Sequence, residues 1–197
     1  MKISATILII ACFFFAHTSH AQKNEVKYNL SVSKSLVKWK CYDDEIEYVG
    51  SFKLKSGYIT MKDEVLSSAV VFVDTKSIKC QKCGDQEDIQ DLIRFIKSSS
   101  FLNTNAMDYA VFKMSSSDVL SDSKEGNYKI KGNLTIIGYS NEVNFPLFIE
   151  VKKGKLTAEG GFKLNRDLWN LKNPKKADDT YYTMESTMSL NFLLESE

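Results

Sequence analysis

The stretch Tyr128–Ile149, YKIKGNLTIIGYSNEVNFPLFI, decides the fold. Tyr128, Ile130, Leu134 and Ile136 share one phase of a two-residue period, and so do Val143, Phe145, Leu147 and Ile149. That period puts alternate side chains on opposite faces of a pleated strand. Gly138-Tyr139-Ser140-Asn141 between the runs reads as a turn, which makes the pair an antiparallel hairpin. Pro146 has no N–H to give to a ladder, so it should mark an edge, a bulge or a strand start.

The same rhythm extends in both directions. Val37, Trp39 and Cys41 alternate on one face of Ser35–Cys41. Tyr48–Met61 reads as two strand pieces, with Phe52 and Leu54 on one face and a turn at Ser56-Gly57. Ser67–Val73 is a short apolar strand, and Tyr109–Ser115 places Phe112 and Met114 together. Lys152-Lys153-Gly154 turns the chain into Leu156–Leu164. Tyr182–Leu194 follows a polar loop at Asn170–Asp179 and alternates Met184, Met188, Leu190, Phe192 and Leu194 with polar residues. One segment breaks the pattern. Ile89, Leu92, Ile93 and Ile96 lie at the spacing of an amphipathic helix, with Asp85 as N-cap, acids in its first turn and Lys97 in its last. Roughly eight short strands and one helical insertion predict an all-β, antiparallel closed barrel or a sandwich.

The amino terminus predicts export. Lys2 precedes the apolar run Ile3–Ala16, and Ser19-His20-Ala21 forms a small-residue cleavage site, so residues 1–21 read as a signal peptide and 22–197 as one domain. An uncleaved anchor would need a longer run. Lipoprotein processing at Cys12 is disfavoured because FFFA continues past it. The expected location is periplasmic or secreted. Both histidines, His17 and His20, fall in the leader, so the remaining domain has none. That excludes Ser-His-Asp and Cys-His catalysis and His-ligated zinc. Charges of both signs are interleaved, so no basic stripe for nucleic acid exists.

The candidate ligand-binding residues are the in-phase aromatic and methionine side chains Trp39, Phe52, Phe112, Met114, Phe145, Phe162, Met184 and Met188. Apolar pockets are built from such surfaces, although alternation alone fits a filled core equally well. Arg166 stands among apolar neighbours, where it could meet a ligand headgroup or pair with a carboxylate. Cys41, Cys80 and Cys83 are the thiols outside the leader. In an oxidising compartment a disulfide is the default. Cys41 with either partner, a local Cys80–Cys83 bridge, and a redox pair ahead of a helix all fit the spacing.

Three motifs then point to a family. Gly132-Asn133-Leu134-Thr135-Ile136-Ile137-Gly138, then Val143-Asn144-Phe145-Pro146, then Leu164-Asn165-Arg166-Asp167-Leu168-Trp169 resemble, in order, elements of the YceI-like family. Val37-Lys38-Trp39, Gly50-Ser51-Phe52 through Ser56-Gly57 (read as a hairpin), Val73-Asp74 and Ser99-Ser100-Phe101-Leu102 fit the amino-terminal half. Tyr48 stands where many members carry a histidine, Asn170 replaces an expected glycine, and Cys80–Cys83 is atypical. The resemblance implies a lipocalin-like eight-stranded barrel that holds a polyisoprenoid, quinone-like or other long-chain apolar ligand. It implies no catalytic residue; no cofactor or metal, no nucleic-acid partner and no integral membrane span are expected. A homodimer is allowed. A thiol-redox protein using Cys80 and Cys83, and a structural interaction domain, are the competing readings.

Overall fold

The computed structural model describes residues 24–43, 46–84, 86–121, 123–172 and 184–197. Residues 1–23, where the leader is expected, Asp85 and most of the polar loop lie outside them. The strands are β1 (Glu25–Asn29), β2 (Leu36–Asp43), β3 (Ile46–Lys62), β4 (Val65–Lys82), β5 (Tyr109–Val119), β6 (Tyr128–Ile136), β7 (Tyr139–Lys152), β8 (Lys155–Asn165) and β9 (Thr187–Glu195). A helix, α1 (Gln86–Lys97), interrupts them after β4.

The deciding hairpin forms as β6 and β7. Ile130 pairs with Phe145 and Tyr128 with Leu147, so the two apolar sets face the same side. The turn itself is Ile137–Gly138, one step earlier than the sequence reading, and Tyr139–Asn141 already belong to β7. Ile137 and Gly138 have φ of 43° and 85°, and Lys153 and Gly154 have 51° and 77°. Such paired positive angles match the twist of tight antiparallel hairpins. Pro146 sits where β7 stops pairing with β8: that ladder begins at Leu147–Gly160, while the β6 ladder runs on across the proline.

All neighbours are antiparallel. Their order is β3-β2-β9-β8-β7-β6-β5-β4, and β4 pairs back to β3, which closes an eight-position barrel. β1 does not add a ninth position. It pairs with the later half of β3 (Glu25 opposite Lys62) and β2 with the earlier half (Asp43 opposite Ile46), so the two share one side of one strand.

Ser56-Gly57 is not a turn. β3 is one 17-residue strand, and its register against β4 slips between Leu54 and Ser56. A Cβ at Gly57 would lie 2.9 Å from the Leu30 side chain and 2.9 Å from the Val70 carbonyl. The glycine therefore serves a close approach and a bulge, which sequence cannot separate from a turn.

The helix carries its stripe as expected. Leu92 and Ile96 are buried, and Ile89 and Ile93 pack against the core at their side. Phe101 and Leu102, just beyond it, are buried too, with the Phe95 and Phe101 rings 5.8 Å apart.

Gly50 gives a test of the close packing. A Cβ there would run into the Lys79 carbonyl and the Trp39 ring, whereas one at Gly138 would meet nothing within 4 Å. Gly50→Ala is expected to cost at least about 2 kcal/mol in urea unfolding. Gly138→Ala, strained only by its positive φ, should cost about 1 kcal/mol.

Candidate ligand cavity

Phe145 points inward from the middle of β7 and is the hub of a ring cluster. Its centroid lies 5.0 Å from Phe162 (stacked), 5.5 Å from Phe112 and 5.5 Å from Phe192. Around these rings a cavity is lined by Val37, Ile59, Leu66, Ala69, Val71, Val73, Met114, Ile130, Leu134, Leu147, Leu190 and Leu194. No lining residue carries a polar side chain.

The rings are held flat against neighbouring strands by glycines. Gly160 pairs with Phe192, and a Cβ on it would stand 3.0 Å from that ring. A Cβ on Gly132 would be 2.6 Å from the Phe112 ring, and Gly50, opposite Trp39, receives the indole in the same way. Each missing side chain lets a ring lie along the wall instead of projecting across the barrel. Phe112, Met114, Phe162, Leu190 and Phe192 stay half-buried although they face inward. The free space among them is about 90 Å³.

The two ends of the barrel differ. At one end a concavity of about 1000 Å³ is framed by Glu25, Tyr28, Met61, Asp63, Glu64, Asn127, Tyr128, Ile149 and Val151. Tyr128 lines this concavity and not the cavity, and its hydroxyl accepts from the N–H of the wall residue Leu66 at 3.4 Å. The other end is closed by a 3-10 turn, Arg166–Trp169. The Trp169 indole donates to the Leu134 carbonyl at 2.9 Å. Arg166 donates to the Met184, Glu185 and Leu171 carbonyls at 2.7, 3.0 and 3.2 Å. It is 5% exposed, and burial draws its pKa below the usual value.

Of the residues singled out from sequence, Phe112, Met114, Phe145 and Phe162 meet at the cavity. Trp39 lies on the inward row beyond its wall: Val37, two residues before, and Leu190, its cross-strand partner, both line the space. Phe52 and Met188 are half-buried against the core, outside the wall. Met184 is buried opposite Asp43 at the closed end, away from the cavity. Arg166 is tied to main-chain carbonyls there and does not line the cavity either. The aliphatic wall residues were missed. They share the phase of the aromatics, but period alone does not give height within the barrel.

The cysteines resolve into a local pair and a lone thiol. Cys80 and Cys83 are bridged, with Cα atoms 6.0 Å apart, and Cys41 is free and buried. Cys41 pairs with Tyr48 of β3, and Cys80 pairs with Gly50 on the other side of β3. One whole strand stands between them. Two strand spacings come to about 9.5 Å, beyond the roughly 7 Å that a disulfide spans. Burial pushes the Cys41 thiol up to about 11, with Arg166 opposing and Asp43 and Glu185 adding to the rise.

The match to known proteins follows this geometry. The model of the YceI-like domain matches residues 28–195. The chain belongs to the YceI-like family. Three solved structures share the fold of this YceI-like chain. BcnA of Burkholderia cenocepacia is 18% identical with a TM-score of 0.62, covering 85% of this chain and 99% of its own. A polyisoprenoid binding domain from Saccharophagus degradans, implicated in plant cell wall breakdown, is 10% identical with a TM-score of 0.58, covering 86% and 97%. A variant of the Campylobacter jejuni YceI protein is 16% identical with a TM-score of 0.55, covering 100% and 98%. No curated protein matches the sequence.

The Cys41 thiol gives a pH test. Its folded pKa is above the ordinary value, so between pH 9 and about 11 the unfolded chain binds fewer protons than the folded one. This thiol should therefore take on the order of 2–3 kcal/mol from stability through that window, a contribution that is absent from Cys41→Ala and is read as the difference between the two pH profiles. Maleimide at pH 8 should label Cys41 only after unfolding. Rapid labelling of the native protein would contradict its burial.

Proposed function

We propose that this chain is an exported binding protein, not an enzyme, that carries a polyisoprenoid or similar long-chain apolar ligand inside its barrel. The observation that carries this reading is the wholly apolar cavity wall around Phe145. Long hydrocarbon chains are recognised by area, with few polar anchors. The S. degradans domain of the same fold is described as polyisoprenoid binding, which favours that ligand class. The leader read in residues 1–21 supports export.

Ligand pockets generally offer about 300 Å³ or more. The free space of about 90 Å³ is smaller, so rotation of the half-buried wall side chains belongs to binding. Met114 and Leu190 can move along their own rotamers, and the rings on Gly132 and Gly160 are already laid aside. Cys83 is 2% exposed and Cys80 half-buried, so a thiolate could reach the bridge only through the Cys80 sulfur.

A length series tests the proposal. Delipidated protein titrated with prenyl alcohols of increasing length should bind each longer one more tightly until the interior is filled. The upper limit is about 0.8 kcal/mol per buried methylene. Phe112→Glu should weaken the longest ligand at least about tenfold, because a carboxylate in that wall must be desolvated. Phe148→Glu on the outer face, where Phe148 is 50% exposed, should leave affinity unchanged. Affinity that stays flat across the series would remove the carrier reading.

A further inference from the structure

The barrel wall is unstitched along one line, which starts at Pro146. β7 and β8 pair from Lys152–Lys155 only as far as Leu147–Gly160, yet β7 runs back to Tyr139 and β8 on to Asn165. Among the described residues no main-chain hydrogen bond joins Tyr139–Pro146 to Gly161–Asn165. The cause is chemical. The Ile149 N–H points to Asn127 on the β6 side, so by strand alternation Phe148 and Pro146 turn toward β8. The Pro146 carbonyl agrees, lying 3.0 Å from where a Gly160 Cβ would stand. The next ladder bond needs a donor at position 146, and proline has none.

The gap is bounded at both ends. At one end stands the Leu147–Gly160 pair. At the other the 3-10 turn is fastened to β7, with the Asn141 amide donating to the Leu168 carbonyl at 2.8 Å and the Asn170 amide to the Tyr139 hydroxyl at 3.2 Å. Between them Val143–Pro146 runs past Gly161–Leu164, a length of about 13 Å at a strand rise of about 3.3 Å per residue. Asn144 and Lys163 are exposed on the outer side. On the inner side Phe145 and Phe162 face each other in the register the ladder would have kept. Their rings stack at 5.0 Å with planes 15° apart, and both line the cavity. β4 and β5 also part, beyond Val70–Lys113, but there Leu66 is held by Ser117 and Tyr128 at 3.0 and 3.4 Å. Across Val143–Pro146 no such bond stands among the described residues, so swinging two rings apart opens the wall without breaking a backbone hydrogen bond.

We propose that a long apolar ligand enters and leaves the barrel sideways, between β7 and β8, with the stacked Phe145 and Phe162 rings as the gate. This rests on the carrier reading and adds the route to it. One axial route is barred by the Arg166–Trp169 turn, whose side chains hold the Met184, Glu185, Leu171 and Leu134 carbonyls. The other, through the concavity beside Tyr128, is the rival route.

The test staples each route in turn. Asn144→Cys with Lys163→Cys, opposite one another across the gap, is cross-linked with dibromobimane. Val26→Cys with Val151→Cys, on the rim of the Tyr128 concavity, is cross-linked with a bis-maleimide. The native thiols do not interfere, since Cys41 is buried and Cys80 and Cys83 are bridged. Circular dichroism checks each fold. Uptake of tritiated geranylgeraniol from phosphatidylcholine vesicles by delipidated protein, and its release, are timed by rapid gel filtration. The stapled gap should slow both rates at least about tenfold and leave affinity within about twofold, because the closed barrel is unchanged. The staple at the Tyr128 end and the uncross-linked pairs should run at the native rate. Pro146→Ala, which returns the missing donor, should slow uptake about fivefold, the weight of one added hydrogen bond. The inference is overturned if the stapled gap takes up geranylgeraniol at the native rate, or if the Tyr128 staple slows uptake as much. Where the gap staple disturbs the fold, an unchanged rate in Pro146→Ala overturns it instead. Native protein that takes up none overturns the carrier reading, and this inference with it.

Discussion

Everything inside this molecule depends on the ladder between β3 and β4. These are the two longest strands, 17 and 18 residues, and their pairing turns an open sheet into a closed one. Closure removes the exposed edge that would otherwise recruit other chains. It also forces every strand to present one row of side chains to a common interior. The ladder slips register at four places, between Val49 and Gly50, Ser51 and Lys53, Leu54 and Ser56, and Thr60 and Met61. Such slips bend and coil a strand, which lets a long hairpin wrap around a barrel.

What closure encloses is set by residue size as much as by hydrophobicity. A row of large apolar side chains on eight strands would fill the interior and make a rigid core. Here Gly50, Gly132 and Gly160 take inward positions beside Trp39, Phe112 and Phe192, and each lets a ring lie along the wall. The interior keeps unburied apolar surface that a ligand could cover, at roughly 25 cal/mol per Å². The closed end holds its own polar groups internally. Arg166 and Trp169 satisfy main-chain carbonyls there, which ties the segment ahead of β9 to the 3-10 turn.

The fold was largely legible because alternation is local. β6 and β7 could be read residue by residue, as could the helix stripe at Ile89, Leu92, Ile93 and Ile96. Gly57 was misread because a bulge glycine and a turn glycine leave the same trace in sequence. The lining of the candidate cavity was half legible. Phe112, Met114, Phe145 and Phe162 could be picked out as inward aromatic and sulfur side chains. Met184 and Met188 have the same phase but stand nearer the closed end, and height along a tilted strand depends on the register of the whole barrel. Arg166 shows the converse problem. Its charge suggests a headgroup partner, yet three carbonyls from just after the 3-10 turn and from the segment ahead of β9 hold it, and no local pattern announces them. The cysteine pairing also needed topology, because only the strand order places β3 between Cys41 and Cys80.

The central claim is that the enclosed apolar space holds a long-chain molecule. Native mass spectrometry of the protein purified gently from its producing cell, with organic extraction of the same sample, measures this directly. The account predicts a population carrying one added mass per chain, released into the organic phase as a molecule that is hydrocarbon along most of its length, and lost in Phe112→Glu. Protein that is empty from several cell sources and takes up no prenyl chain when refolded with one would contradict it.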